Sequence, residues 1–204
     1  MTSFLLWKKK SKVFPTAVHV SDEKVPINSD FRIALQIMHL HSNPDITDLR
    51  KYSMMLGWFY PEVPTDAKSA MLALVEFLAP QKEEEKTVNS NAAQEINKGK
   101  KTKNPTHCFE FDAEEIYVSF LQDYNVDLID IDYLHWYKFL MMFSNLSKDT
   151  PMMKKMELRT MDLSSFKGKE KARLTKAQKS VQIPQKLTKE ESDMMSEFMK
   201  KIGY

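Results

Sequence analysis

Residues 130–143, DIDYLHWYKFLMMF, bring together a histidine and two acids, the side chains that proteins use for general acid–base catalysis. To act as a base, His135 would need an orienting carboxylate and a cleft that admits a substrate. The nearby acids, Asp130 and Asp132, are expected in the first turn of a helix, where carboxylates stabilise the helix dipole. The sequence therefore favours a structural role for His135, and we expect that the protein is not an enzyme.

The same stretch predicts a buried helix over residues 130–143. Its large side chains recur at three- and four-residue steps, which places them on one side of a helix: Tyr133, Trp136, Tyr137, Leu140 and Phe143. His135 lies between Ile131 and Phe139 at four-residue spacing. An imidazole in that position is expected to be buried and to make one or two structural hydrogen bonds.

Other candidate metal and nucleophile motifs are weak. His39 and His41 are alternate residues of a predicted helix, so their side chains point about 200° apart and cannot share one ion. The acids between 123 and 132 lack the glycine and the final glutamate of a calcium-binding EF-hand loop. Cys108 follows His107, but neighbours in an extended segment face opposite ways. We expect no catalytic residue, no metal and no cofactor.

Composition favours helices in a reducing compartment. Four glycines and fourteen methionines in 204 residues are typical of helical packing. One cysteine allows no intrachain disulfide. No apolar run reaches the roughly 18 to 20 residues that span a bilayer, and the first residues lack the pattern of a secretory signal. We therefore expect a soluble cytoplasmic protein that does not bind membranes.

The first eighty residues predict a small hairpin and three helices. The hairpin is expected from 17 to 27, after which Ser29 is expected to cap the first helix. The apolar stripe of that helix is predicted at four positions: Phe31, Ala34, Leu35 and Met38. Thr47 begins the second helix, which Pro61 ends, and Thr65 caps the third, which Pro80 ends. Leu72, Val75 and Leu78 are expected to form the buried face of the third helix.

Further helices are predicted after residue 105. Asp112 and Glu115 have the spacing of a capping box that opens a helix, and Thr150-Pro151 has the pattern of a helix start. A lysine-rich helix is expected over 169–180. The predicted fold is thus mainly α, a helical bundle with a small N-terminal β-hairpin. Its parts are the hairpin and three-helix unit (1–80), a flexible polar linker (81–104), a helical core (105–183) and a C-terminal amphipathic helix (184–204).

Charge is divided unevenly along the second half of the chain. Residues 105–147 carry one basic and eight acidic side chains, a net charge of −7, whereas residues 148–204 carry fourteen basic and eight acidic side chains, a net charge of +6. The basic segment could lie against the acidic one, remain solvated, or bind a phosphate backbone. Nucleic acid is the less favoured partner because the whole chain carries only +2.

The predicted C-terminal helix, from Thr188 to Gly203, offers a candidate partner-binding face. That face carries Met194, Met195, Phe198 and Ile202. Unbranched methionines adapt to varied apolar partners, so the face could bind another protein. It could equally dock on the protein's own core or belong to an unstructured tail.

Four sequence blocks resemble, in order, those of a family of tailed-phage proteins known as gene product fifteen. They are PINSDFRIALQI (26–37), VPTDAKSAMLALVEFL (63–78), FDAEEIYVSFLQDYNVDLIDIDYLHWYKF (111–139) and RTMDL (159–163). The resemblance spans roughly residues 25–183, and DFR and DYLHWYKF are its most specific parts. The first twelve residues and the tail after Pro184 have no counterpart in it.

The resemblance implies a tail-assembly chaperone or related tail-morphogenesis helper of a siphovirus or prophage, acting in the host cytoplasm. Its expected partners are the tape-measure protein and other tail-assembly proteins, and it supplies no catalytic residues. This interpretation predicts self-association or a complex with a partner rich in coiled coil. A structural tail or virion component is the alternative, and a nucleic-acid-binding protein that uses its basic C-terminal third is the second alternative.

Overall fold

The computed structural model describes residues 14–78 and 106–184. Within these ranges the chain forms seven α-helices and one two-stranded antiparallel sheet, which confirms the predicted mainly α fold with an N-terminal hairpin. The elements are β1 (Ala17–Val20), β2 (Glu23–Pro26), α1 (Phe31–His41), α2 (Asp48–Phe59), α3 (Ala67–Leu78), α4 (Ala113–Tyr124), α5 (Trp136–Ser144), α6 (Pro151–Thr160) and α7 (Gly168–Ser180). The predicted linker, 81–104, and the predicted helix bearing Met194, Met195, Phe198 and Ile202 lie outside the described residues.

The hairpin forms where the sequence predicts it. β1 and β2 pair in register from Ala17 with Pro26 to Val20 with Glu23. Ser21, in the turn between them, has a φ of 53°, the left-handed conformation that a tight hairpin turn requires.

Helix α1 begins one residue later than predicted and buries a different face. Its N-cap is Asp30, whose carboxylate accepts a hydrogen bond from the Arg32 N–H, while Ser29 is buried just outside the helix. The prediction of a Ser29 cap was therefore wrong. The buried positions are Phe31, Ala34, Ile37 and Leu40. The predicted stripe through Leu35 and Met38 was wrong because the helix carries two apolar stripes one residue apart, and the core takes the other one.

Helix α2 has the predicted limits, with Thr47 as N-cap and its end before Pro61.

Helix α3 does not have the predicted cap, because the Asp66 carboxylate, rather than Thr65, accepts a hydrogen bond from the Ser69 N–H. Its buried face was also predicted wrongly. The buried residues of α3 are Ala70, Leu74 and Phe77, whereas Leu72 and Val75 are 63% and 54% exposed.

Contacts from the end of α2 fix which face of α3 is buried. Tyr60, which is almost fully buried, lies against α3 and donates a hydrogen bond of 2.8 Å from its hydroxyl to the Ala70 carbonyl. The Phe59 ring packs on the Phe77 ring with 5.3 Å between centroids. The end of α2 is thus fixed to the side of α3 that the predicted stripe does not include.

The predicted helix over 130–143 begins only at Trp136. Before it, the Asp127 carboxylate accepts from the Ile129 and Asp130 N–H groups, and the Asp127 carbonyl accepts from the Ile131 N–H. These bonds stabilise turns in place of a helix. The placing of Asp130 and Asp132 in a first helical turn was wrong, and Tyr133, predicted on the buried face, is 50% exposed.

One hydrophobic cluster takes side chains from both described ranges. Its centre is Phe139, whose ring stacks on Phe31 at 4.9 Å, on Phe120 at 5.1 Å and on Trp136 at 5.7 Å between centroids. Phe31 comes from the first range and the other three come from the second. The predicted interior position of the α5 aromatic residues is confirmed for Trp136 and Phe143, which are buried.

Candidate binding surface and the junctions that position it

His135 is the N-cap of α5. Its Nδ1 accepts a hydrogen bond of 3.0 Å from the Tyr137 N–H, so that nitrogen carries no proton. Its Nε2, which then carries the proton, donates to the Pro15 carbonyl at 3.0 Å. Burial lowers the pKa of His135, an effect that the bond to Pro15 opposes in part.

The surroundings of His135 are aromatic. Its ring stacks on Phe14 at 4.9 Å and meets the Phe77 ring edge-on at 5.9 Å. The side chain is buried, as the sequence predicts, and both ring nitrogens are used in holding backbone. The prediction that it lies on the helix between Ile131 and Phe139 was wrong, since it precedes the helix.

Asp30 and the segment before α5 form a junction between the two described ranges. Asp30 and His135 make an isolated antiparallel β-bridge. On either side of it, the Phe31 N–H donates to the Leu134 carbonyl at 2.9 Å, and the Trp136 N–H donates to the Ser29 carbonyl at 2.8 Å. The Asp30 carboxylate also accepts from the Leu134 N–H at 3.0 Å.

Arg32 extends this junction to the turns before α5. Its guanidinium donates to the Leu128 carbonyl at 3.1 Å and to the Ile131 carbonyl. The DFR and DYLHWYKF blocks thus contact each other, and the sequence alone does not predict this contact. The sequence signal for this contact was the pair of charged residues, Asp30 and Arg32, at the start of a helix that carries no other Asp, Glu, Lys or Arg.

A second junction is built on Asp112. Its carboxylate is fully buried and receives two hydrogen bonds of 2.6 Å from Arg159, one at each oxygen. Lys155 lies 2.9 Å from the same carboxylate, and the Cys108 N–H donates to it at 2.9 Å. The predicted capping box was wrong: Asp112 makes no side-chain cap, and Glu115 pairs with Lys155 at 2.6 Å instead.

The charges of this junction are balanced. Burial by itself would raise the pKa of Asp112, but the hydrogen bonds from Arg159, Lys155 and Cys108 outweigh burial and lower the pKa to about 2. Because Asp112 and Glu115 belong to the acidic segment and Lys155 and Arg159 to the basic one, the two segments pair with each other here. This agrees with the alternative in which the basic segment lies against the acidic one.

Arg159 also connects the ends of other elements. It donates to the Thr106 carbonyl at 3.1 Å and, through Nε, to the Val181 carbonyl. Nearby, the Gln178 side-chain amide donates to the Leu158 and Met161 carbonyls, each at 3.0 Å, where α6 ends. Helix α7 is held on α6 mainly by these polar bonds, since none of its residues is buried.

The weaker motifs of the sequence are separated in the structure. His39 lies 3.0 Å from the Glu110 carboxylate. Among residues 14–78 and 106–184, no three side chains that could bind a metal ion come together. His107 packs on the Phe143 ring at 4.9 Å, and burial lowers its pKa; Cys108 lies half-buried at the turn that Asp112 closes.

One exposed apolar surface lies along α3. Leu72 and Val75 are one turn apart and are exposed, and the half-buried Met71 and Leu78 flank them. Exposed apolar side chains that adjoin on one helix are typical of a protein-binding surface. We call these four residues the α3 stripe.

Helix α7 presents a basic surface. Its five basic side chains are all exposed, and Glu170 is its only acid: the five are Lys169, Lys171, Arg173, Lys176 and Lys179. None of the helices in the described part of the chain has the length and apolar character needed to cross a membrane.

Comparison with known proteins gives one match. The sequence profile of the family described as Bacteriophage Gp15 protein matches residues 11–183. The match includes all four sequence blocks and both junctions. No curated protein and no solved structure matches the chain.

Proposed function

Since the chain belongs to the Bacteriophage Gp15 protein family, we propose that it is a phage or prophage tail-assembly chaperone that binds the tape-measure protein. The observation that carries this proposal is the family match over residues 11–183. A helper of this kind acts by covering a long helical partner until the tail tube forms around it. Such a role requires an accessible apolar surface and a stable frame to present it.

The α3 stripe supplies the surface. A tape-measure protein rich in coiled coil would present its own apolar positions at three- and four-residue steps, which fit a helix face of the same spacing. The frame behind the stripe is rigid, because the buried side of α3 packs through Phe77 on the Phe59 and Tyr137 rings.

A binding role is also favoured over a catalytic one. Both nitrogens of His135 are used by Tyr137 and Pro15, so the imidazole has no free nitrogen to exchange a proton with a substrate. The Asp112 carboxylate is likewise engaged by Arg159 and Lys155. These groups maintain the fold, and we propose that the protein is not an enzyme.

Co-expression with the tape-measure protein of the same phage or prophage tests the proposal. We expect a soluble complex in size-exclusion chromatography. The double variant Leu72→Glu/Val75→Glu should lose the complex, whereas Lys68→Ala/Glu76→Ala, on the same helix, should keep it. A tape-measure protein that stays insoluble, with no complex, would remove the chaperone proposal. A complex that tolerates the glutamates would retain the function and exclude the α3 stripe.

Stoichiometric recovery of peptides from this chain in purified particles would favour the alternative role as a structural tail or virion component. A chaperone is expected to be absent from the mature virion.

The basic surface of α7 favours a second candidate function, binding of a nucleic acid through its phosphates. Five exposed cations on thirteen residues could each neutralise a phosphate, so binding would weaken steeply with salt. Fluorescence anisotropy with duplex DNA at increasing salt, for the wild type and for Lys169→Ala/Arg173→Ala/Lys176→Ala, measures this. No binding at low salt would exclude this second function.

A further inference from the structure

A groove of about 360 Å³ runs along one side of α6. It is lined by Thr106, Lys148, Met153, Met156, Glu157 and Thr160. The last four lie at positions i, i+3, i+4 and i+7 of α6, so they form one continuous helix face. Met153 and Met156 are half-buried and form the apolar floor of the groove.

The described chain ends beside this groove. Arg159, one turn beyond Met156 on α6, donates from Nε to the Val181 carbonyl and from Nη1 to the carbonyl of Thr106, a lining residue. Val181 is three residues before Pro184, the last described position. Residues 185–204 therefore continue from a point that Arg159 fixes near the C-terminal end of α6.

The groove and the apolar face of the predicted C-terminal helix have similar lengths. Met153 and Thr160 are seven residues apart, about 10 Å along a helix axis, and Met194 and Ile202 are eight apart, about 12 Å. The connection from Pro184 to Thr188 spans at most roughly 14 Å. The chain can therefore enter the groove at its Thr160 end and run back along α6 towards Lys148.

We propose that the α6 groove is the docking site for residues 185–204 of the same chain, with Met194, Met195, Phe198 and Ile202 placed on Met153 and Met156. Flexible methionines on both surfaces would interdigitate around the Phe198 ring. The family match stops at residue 183, so the segment that fills the groove lies beyond the part of the chain that the family shares. This proposal is independent of tape-measure binding.

Photo-crosslinking in the full chain tests the proposal. The photoreactive residue p-benzoylphenylalanine is placed at position 156 and, as a control, at Tyr52, which is exposed on α2. After irradiation, mass spectrometry of the monomer band is expected to show a crosslink between position 156 and a peptide within 185–204, and none between position 52 and that segment.

The pair Met195→Ser/Phe198→Ser should shift the docking equilibrium by about tenfold or more towards the open form and reduce the yield of this crosslink. The control Lys200→Ser, on the opposite side of the predicted helix, should keep the yield.

Two results would overturn same-chain docking. A crosslink to 185–204 found only at the mass of a dimer would assign the groove to the tail of a second copy. A crosslink from position 156 to other segments, or none at all, would remove the tail as occupant.

A second measurement avoids the artificial residue. In Met153→Lys/Met156→Lys, amide hydrogen exchange should accelerate in residues 185–204 and stay unchanged in α1. Unchanged exchange in 185–204 would contradict the proposal.

Discussion

The Asp30 carboxylate accepts a hydrogen bond of 3.0 Å from the N–H of Leu134, a residue 104 positions further along the chain. Its other oxygen caps α1 by accepting from the Arg32 N–H at 2.9 Å. One side chain therefore begins a helix and also fixes the segment that leads into another. The most specific sequence block of the first half is in this way tied to that of the second half.

Replacing Asp30 tests this double role. Asp30→Ala should lower the free energy of unfolding by about 2–4 kcal/mol, because it removes a helix cap and leaves the buried Leu134 N–H without its acceptor. Chemical denaturation measures the change. Asp132→Ala, an exposed aspartate in the same region, should stay within about 0.5 kcal/mol of the wild type. Equal losses in the two variants would contradict the role given to Asp30.

Arg159→Lys should destabilise the protein although it keeps the charge. Lysine cannot bind both Asp112 oxygens and also reach the Thr106 and Val181 carbonyls, so we expect a loss of about 2–3 kcal/mol in chemical denaturation. Arg173→Lys, on the exposed surface of α7, is the matched control and should change stability by less than about 0.5 kcal/mol. A tolerated Arg159→Lys would mean that charge alone holds the junction.

The Asp112 junction should fail in acid. Its pKa is lowered from 3.8 to about 2 in the folded protein, so the unfolded chain takes up the proton first as the pH falls. The stabilisation, roughly 2 kcal/mol, is complete above pH 5 and is lost between about pH 4 and pH 2. NMR titration of the Asp112 carboxyl carbon should give a midpoint near 2. A midpoint near 4 would show that the ion pairs contribute little.

His135 should make the protein less stable as the pH falls from 7 to 5. Its pKa is lowered by burial, so the unfolded state binds a proton at a pH where the folded imidazole remains neutral. His135→Asn keeps a helix-capping acceptor for the Tyr137 N–H and removes the titration. The variant should be less stable at pH 7, because the stacking on Phe14 is lost, and its stability should depend less on pH over this range. An unchanged pH dependence would assign the effect to another group, such as His107.

The limits of several helices were predictable because local chemistry sets them. Thr47 and Pro61 bound α2, and Thr150-Pro151 begins α6 as the sequence predicts. A proline has no N–H to donate, and a residue in the extended conformation can precede the first helical turn as its N-cap. Neither effect depends on distant parts of the chain. The hairpin turn followed the same kind of rule.

The predictions that failed depend on distant partners. Residues 130–135 have helical periodicity, but Asp127 closes the turns that lead into them, and Arg32 binds the Leu128 and Ile131 carbonyls from 96 and 99 residues away. The Asp112 capping box has the same spacing whether its aspartate caps a helix or pairs with Arg159. The signal for pairing was the spacing of Lys155 and Arg159, four residues apart on one helix, opposite an acidic segment.

The faces of α1 and α3 could not be chosen from periodicity either. Each helix has two apolar stripes. In α3 the core uses the one that contains Ala70, whereas in α1 Phe31 and Ala34 belong to both stripes and Ile37 and Leu40 distinguish the buried one. The stripe left outside on α3 includes Leu72 and Val75. The candidate binding surface was therefore predicted as core, because an apolar side chain gives the same sequence signal in both places.

The bridge between Asp30 and His135 also limits how early α1 can complete its packing during translation. The Phe31 ring meets its stacking partner, Phe139, only after more than half of the message has been translated, so the part of α1 that packs on α5 is exposed until then. That side can be buried only after residues 134–143 have been synthesised. A premature stop codon before residue 134 would therefore give a fragment with an exposed apolar side that is prone to aggregate, and this fragment would not be functional.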